Sequence, residues 1–243
     1  MRFCIFSDVH GNLEALGAVL EDLAKRDSDA TKVFLGDAVG YGPNPNECVA
    51  RIRQEAHICL LGNHDQAAVS DIDISNFNPY AKHAIVWTRN SLTTETKEFL
   101  RDLPYRVDHE RCTFVHSTPC QPERWHYLFT MHDAVTNFTC FRTQICFVGH
   151  SHQPLCIVQP VEGRPRVESG PVIKIEPDCR YIINDGSVGQ PRDGDANAAY
   201  ALFDTESGQV EIRRVRYDYS LTQQKMEEAG LHRYLIQRLQ FGH

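Results

Sequence analysis

The sequence predicts an α/β fold whose sheet is largely parallel in the first half and antiparallel in the second. Three observations carry that expectation. Short apolar runs bounded by Gly, Asp or Asn fall at 3–6, 33–35, 58–61, 113–115 and 145–148, the pattern of buried strands. Helical patterns separate several of them, and strand–helix–strand alternation implies parallel pairing. From Val172 onward, runs of strand-forming residues follow one another across turn residues, as antiparallel strands do.

The elements follow in order. Leu13, Leu16, Leu20 and Leu23 repeat at the spacing of one helix face, with Gly11-Asn12 as the entry. Residues 45–55 read as a helix opening after Pro43-Asn44-Pro45, residues 79–101 as one opening after Asn78-Pro79, and 131–140 as another. Pro160 to Pro171, polar and rich in Pro and Gly, reads as a hairpin excursion rather than a domain boundary. Val172–Ile175, Tyr181–Ile183, Ala199–Phe203 and Val210–Arg216 read as antiparallel strands, with Thr205-Glu206-Ser207-Gly208 as a hairpin loop. Ser220 to Gly242 carries an amphipathic helical pattern broken at Gly230, expected to pack on the sheet or on a second copy of the chain, so a homo-oligomer is compatible with it.

A chain of 243 residues with evenly spread apolar runs is expected to form one domain, 1–243, with a full core. No stretch approaches the roughly 20 apolar residues of a membrane span, and no signal peptide is visible, so a cytoplasmic protein is expected. A formal charge of −7 argues against binding long nucleic acid through a basic surface. The nine cysteines include no Cys-x-x-Cys pair, and most lie inside apolar runs; they are expected to be small buried hydrophobes in a reducing compartment, with neither disulfides nor a thiolate metal site.

The apolar runs end in residues that can hold metal: Asp8-Val9-His10, Gly36-Asp37, Gly62-Asn63-His64-Asp65, His116, and Gly149-His150-Ser151-His152. Ligands bind beyond the carboxyl ends of the strands in open α/β sheets, so one crevice could collect all five blocks. Asp8 and His10, two apart on a loop leaving a strand, can share one metal, which needs further ligands from elsewhere in the chain. Asp37 suits a bridge, because a carboxylate has two oxygens and can reach two ions at the ~3.5–4 Å separation used in two-metal hydrolysis. Asn63 offers a carbonyl oxygen, and His116 and His150 offer imidazole nitrogens. His64 suits proton transfer, since imidazole titrates near neutral pH and can protonate a departing alkoxide. Seven or eight such ligands converging on one point fit a two-metal phosphate-ester hydrolase.

With these blocks in this order, the chain resembles the calcineurin-like metallophosphoesterases over about its first two thirds. The resemblance implies a four-layer α/β/β/α sandwich of two mixed β-sheets flanked by helices. It implies one divalent metal on Asp8, His10, Asp37 and His152, a second on Asp37, Asn63, His116 and His150, and His64 as the general acid. The cofactors it implies are two divalent ions, Mn²⁺ first, with Fe²⁺, Zn²⁺, Ni²⁺ or Co²⁺ as alternatives, since mixed O/N ligand sets accept all of them. Gly40-Tyr41-Gly42-Pro43-Asn44-Pro45 and Asn184-Asp185-Gly186-Ser187-Val188-Gly189-Gln190-Pro191-Arg192 resemble the small bacterial branch with phosphodiesterase-like proteins and diadenosine polyphosphate hydrolases. Asp185, Ser151 and His116-Ser117-Thr118-Pro119 depart from that branch's common Pro, Thr and His-Gly-Ser-Pro.

The related Ser/Thr protein phosphatases place an arginine shortly after Asn-His-Glu, where this chain has Asp65-Gln66-Ala67-Ala68. The expected substrate is therefore a small phosphodiester or a nucleotide phosphoanhydride. A protein phosphatase or other phosphomonoesterase is the alternative, and a non-enzymatic scaffold of the same fold the reading after that. Candidate substrate residues are Arg124 and His126 in the cluster Glu123-Arg124-Trp125-His126-Tyr127, Tyr41 and Asn44 beyond Asp37, and Arg192; the cluster reads equally as a packed surface loop, Tyr41 and Asn44 more readily as turn residues, and Arg192 more readily as a solvated loop arginine. Asp65 is expected either to orient His64 or to cap the helix that follows.

Overall fold

A computed structural model describes residues 1–70, 72–75 and 77–243. Strands β1 (Arg2–Phe6), β2 (Thr31–Phe34) and β3 (Ile58–Cys59) alternate with helices α1 (Leu13–Arg26) and α2 (Pro45–Glu55). They pair in parallel in the order β3-β2-β1, as the strand–helix alternation predicts. The sheet is completed by antiparallel strands β11 (Ala198–Asp204), β12 (Gln209–Val215) and β9 (Val172–Lys174), with β11 on the free edge of β1.

A second sheet holds β4 (Arg106–His109), β5 (Cys112–Val115), β6 (Ile145–Val148), β10 (Cys179–Asn184), β7 (Leu155–Pro160) and β8 (Arg166–Glu168), paired in that order. Strand β10, expected to be antiparallel, is parallel to β6 and antiparallel to β7, so this sheet too is mixed. Strands β4, β7 and β8 add to those expected, and β7–β8 form the hairpin of the Pro160–Pro171 excursion.

Period-two alternation decides the layering. Phe3 and Ile5 point from β1 into a core shared with Phe114, Phe147, Tyr181, Ile183 and Phe203, contributed by both sheets. Cys4 and Phe6 point the other way, under Leu16, Leu20 and Leu23 of α1 and Ile52 of α2. On the far side of the second sheet, Cys146, Val148 and Ile182 are covered by Ala134 and Phe138 of α6 (Met131–Phe138). The result is the four-layer α/β/β/α sandwich of two mixed six-stranded sheets.

Three expectations are corrected. The helix foreseen over 79–101 is two, α4 (Pro79–Ser91) and α5 (Thr94–Arg101). Leu92 is extended, the Thr93 hydroxyl caps α5 by accepting from Thr96 N, and Asn46 Oδ1 accepts from Thr93 N, which pins the break. The strand at 58–61 is only Ile58–Cys59, though Leu60 N still bonds Phe34 O at 2.9 Å. Cys120 and Cys140 form a disulfide: neither lies in a strand, and the turn after His116 meets the chain leaving α6 with the two Cα atoms 5.3 Å apart. The other seven cysteines are free, and all but Cys59 are buried.

Between β3 and α4, helix α3 (Asn63–Val69) carries Asn63 and His64 in its first turn. At the C-terminus α7 (Tyr219–Glu228) and α8 (Arg233–Arg238) flank Gly230, whose positive φ of 70° supplies the break read from the sequence. Their Met226, Leu235 and Ile236, with Leu239 just beyond α8, pack with Ala81 and Ala84 of α4 around Tyr41, and Lys225 pairs with Glu14 of α1. No helix among the described residues is long and apolar enough to cross a membrane.

Candidate metal centre

All five motif blocks follow the carboxyl ends of strands: Asp8 and His10 leave β1, Asp37 leaves β2, Asn63 and His64 follow β3, His116 follows β5, and His150 and His152 follow β6. The backbone there is held in an unusual conformation. Among the described residues nine non-glycine residues have positive φ, and six of them are Asp8 (53°), His10 (49°), Asp37 (61°), Tyr41 (60°), His150 (67°) and His152 (60°). Left-handed backbone is costly for such residues, and strain concentrated at one place marks a functional site.

A frame of hydrogen bonds maintains it. Asp8 N, His10 N and Gly11 N donate to the carbonyls of Gly36, Asp37 and Ala38 at 3.0, 2.9 and 2.8 Å, which locks the two loops together. Asp65 accepts from Asp37 N at 2.7 Å, from Gly62 N at 3.1 Å and from Val39 N at 3.1 Å. It therefore caps α3 and braces the Asp37 loop; it makes no bond to the His64 ring, whose Nδ1 is buried without a partner. The Asn184–Arg192 segment wraps Asp8 from the other sheet: Ser187 Oγ donates to Asp8 O at 2.9 Å and Gly189 N to the same carbonyl at 2.9 Å. A Cβ on Gly189 would lie 1.8 Å from Val9 O, which is why glycine stands there.

Within this frame the side chains converge. His10 Nδ1 donates to the Val39 carbonyl at 3.0 Å and His152 Nδ1 to the Gln190 carbonyl at 2.6 Å. Each ring thereby keeps a lone pair on Nε2, and burial pushes both pKa values below the ordinary histidine value. These two Nε2 atoms face each other at 3.1 Å. Asp8 Oδ1 is 3.2 Å from His152 Nε2 and 3.7 Å from His10 Nε2, buried and without a hydrogen-bond partner. Opposed lone pairs and an orphaned carboxylate oxygen repel one another unless a cation lies among them, so the donor set fits a metal ion.

Asp37 stands between this trio and a second group. Its Oδ2 is 3.6 Å from His10 Nε2 and 3.4 Å from His116 Nε2, while its Oδ1 accepts from His64 N at 2.8 Å. His116 Nε2 is also 3.2 Å from Asn63 Oδ1. Burial opposes charge on His116, but Asp37 and Asp8 outweigh it and push its pKa up to about 9. Two sets, Asp8 with His10 and His152, and Asp8 with Asp37 and His116, have candidate ligand atoms all within 4.8 Å of one another.

His150 is brought beside this cluster but is otherwise engaged. Its ring centroid is 5.1 Å from that of His116, while its Nε2 donates to the Trp125 carbonyl at 3.0 Å and Tyr127 stacks on it at 4.0 Å. Burial pushes its pKa down to about 3. His64 lies edge-on to His10 at 4.9 Å and against the ring of Tyr41 at 4.5 Å, and burial pushes it down to about 4.

The candidate substrate residues separate. Tyr41 is buried against His10, with centroids 4.7 Å apart. Asn44 turns away and donates to Glu47 at 3.1 Å. Arg124 and His126 are exposed. Arg192 lies over the Tyr41 ring at 5.9 Å with its Nε buried and unpartnered, and no carboxylate pairs with it among the described residues.

Several contributors lay outside the sequence reading. Ser7 Oγ donates to Asp8 Oδ2 at 2.5 Å and also touches Asp185 Oδ1 at 3.0 Å. Burial and the neighbouring Asp8 carboxylate raise the Asp185 carboxyl well above its usual range. Asp185 was visible as a departure from the family pattern; Ser7, and the carbonyls of Trp125 and Gln190, carried no signal. Tyr127 stood inside the cluster read for Arg124 and His126, but its stacking on His150 carried no signal in the sequence.

Residues 1–208 match the calcineurin-like phosphoesterase superfamily domain. The chain is 40% identical over 244 residues to the uncharacterized protein MJ0912 of Methanocaldococcus jannaschii, covering 98% of this chain and 97% of that one. Its fold is similar to that of a metallophosphoesterase from Sphaerobacter thermophilus, with a TM-score of 0.87, 42% identity, and coverage of 100% and 99% of the two chains. A hypothetical protein, PH1004, from Pyrococcus horikoshii shares the fold at a TM-score of 0.81 and 20% identity, covering 100% of this chain and 98% of that one. By the extent of the domain match and of these likenesses, the chain belongs to the calcineurin-like phosphoesterase superfamily.

Proposed function

We propose that the chain is a metal-dependent phosphoesterase that hydrolyses a small phosphodiester or a nucleotide phosphoanhydride. The observation that carries this reading is the pair of buried Nε2 lone pairs of His10 and His152, facing each other at 3.1 Å with the unpartnered Oδ1 of Asp8 beside them. Asp8, His10, Asp37 and His152 would hold one divalent ion, and Asp37, Asn63, His116 and His150 a second. For the second, His116 must give up its proton and His150 must offer the nitrogen that Trp125 does not occupy. When bound, two such ions supply Lewis acidity and lower the pKa of water to near neutral.

The remaining work falls to the chain's own residues. The braced loops fix the ligand geometry in advance, so reorganisation costs little in the reaction. His64 holds a proton for the leaving oxygen; burial keeps the ring neutral until a phosphate's negative charge beside it raises its pKa. Arg192, free of any carboxylate partner among the described residues, is available to a phosphoryl oxygen. No arginine stands in Asp65-Gln66-Ala67-Ala68, the stretch after Asn63-His64, and Gln66 there is tied to Tyr105 at 2.7 Å and Trp125 at 2.9 Å, which favours a diester or nucleotide over a phosphoprotein.

Purified protein with added Mn²⁺ should hydrolyse bis(p-nitrophenyl) phosphate, and EDTA should abolish the activity. Asp37→Asn should lower kcat by a factor of roughly a thousand, the scale on which loss of an electrostatic transition-state contact is felt. Full turnover in Asp37→Asn, or activity indifferent to EDTA, would sink the proposal.

A further inference from the structure

Next to the metal centre three rings stack outward. Tyr127 lies parallel to His150 at 4.0 Å and 19°, and Phe129 lies parallel to Tyr127 at 4.8 Å and 13°. The ladder starts at a buried histidine and ends at the surface, where Phe129 is 77% exposed. A ring so exposed forfeits burial of its apolar face, and its backbone does not wander: Phe129 N donates to Asp133 Oδ2 at 3.1 Å, and Thr130 and Asp133 cap the start of α6 reciprocally.

The outer two rings, Tyr127 and Phe129, line a cavity of about 450 Å³ whose walls include Ser151, Gln153, Leu155 and Arg192. That volume falls within the roughly 300–1,000 Å³ range of small-molecule pockets. The cavity abuts the metal centre, since Ser151 separates His150 from His152 and Arg192 N donates to the His152 carbonyl at 3.1 Å. It combines an aromatic platform, an apolar wall and, on the side toward the metals, a guanidinium with no carboxylate partner among the described residues.

We propose that this cavity is a nucleobase subsite: the substrate is a nucleoside phosphate ester or anhydride whose base stacks on Phe129 while its phosphate passes Arg192 to the metals. The assignment rests on the phosphoesterase reading above and adds the substrate class to it. Few groups at the subsite can read base edges. Gln153 Nε2 is spent on the Arg192 carbonyl at 2.8 Å. Recognition is therefore by π-face, which every base has, and the subsite should favour purines only through their larger stacking area.

The test is calorimetric binding of adenosine 5′-monophosphate and of ribose 5-phosphate to the Mn²⁺-loaded, full-length protein. Adenosine 5′-monophosphate should bind about 5- to 100-fold tighter, the range expected from one stacked base. Phe129→Ala should bring the two affinities to within about twofold, and Phe129→Trp should restore the preference. Because Phe129 is exposed, both variants should melt with the wild type. Equal affinities in the wild type, an unchanged preference in Phe129→Ala, or phenyl phosphate binding as tightly as the nucleotide would each overturn the subsite. Two further outcomes separate the two claims. Turnover of bis(p-nitrophenyl) phosphate without nucleotide binding overturns the subsite and leaves the phosphoesterase reading standing. A Phe129-dependent preference for the nucleotide in a protein that hydrolyses nothing supports the subsite and overturns the hydrolase reading.

Discussion

The strand-end loops and the aromatic rim beyond them are built on opposite terms. In the loops, Asp8, His10, Asp37 and His152 are buried, their backbones are left-handed, and their amides and carbonyls are answered from neighbouring loops or from the Asn184–Arg192 segment. On the rim, Tyr127 and Phe129 are exposed, and their rings hold to one another and to His150 by stacking. Where charge must be gathered, the fold accepts strain and removes freedom; where a ligand must enter, it leaves apolar surface open. Substitutions in the first region should thus reach stability, metal and rate together, while those on the rim should touch ligand choice alone.

The sharpest way to break that contrast is Gly62→Ala. A Cβ there would lie 2.0 Å from Asp37 Oδ1 and 2.3 Å from Asp37 N, so the Asp37 loop must move. Overpacking of this kind costs about 1–3 kcal/mol. Displacement of a carboxylate at the centre should lower kcat about 100-fold. Thermal melts and steady-state rates check both; wild-type values would show that the loop is not rigid.

A smaller effect should appear with pH in metal-free protein. His116, raised to about 9 beside Asp37, binds its proton more tightly folded than unfolded, so its contribution is full below about pH 6.5 and lost as pH rises through 9. His64 and His150, lowered to about 4 and about 3, act oppositely: they destabilise at acid pH and cease to do so as pH rises through the unfolded value near 6.5. The melting temperature in EDTA should therefore rise toward about pH 6.5 and fall between there and pH 9. A flat profile across that range would mean the cluster is not coupled as its distances imply. Least of all, Phe129→Ala should shift stability by no more than about 0.5 kcal/mol, as an exposed side chain does.

Much of this arrangement was legible in the residues, and the rest was hidden for definite reasons. Strands β1 and β6 were visible because Phe3–Phe6 and Ile145–Val148 are buried on both faces and so read as unbroken apolar runs; β5, equally buried, reads nearly so, with Thr113 the one polar residue. Strand β8 was not, because Arg166-Val167-Glu168 is exposed throughout on a sheet edge. Strand β7 is bracketed by Pro154 and Pro160, which read as breakers, yet Pro160 sits at the last residue of the strand, opposite Cys179. The split between α4 and α5 depends on Asn46 Oδ1 reaching Thr93 from another helix, a tertiary contact with no local signature.

The site divides in the same way. Ligand-type residues announce themselves because few side chains can do their chemistry, and their spacing at strand ends narrows the choice further. Their supports do not: a carbonyl such as that of Val39 or Gln190, which sets the histidine tautomers, belongs to every residue type. The Cys120–Cys140 pairing was likewise hidden, since spacing says nothing of which turn meets which helix end.

The central claim, that one braced cluster gathers two ions with His152 on one and His150 on the other, is tested most directly by metal analysis. Protein equilibrated with Mn²⁺ and freed of excess should hold two ions per chain. His152→Ala and His150→Ala should each retain about one, because each removes a ligand from a different ion. Two ions retained in both variants, or a single ion in the wild type, would contradict the account.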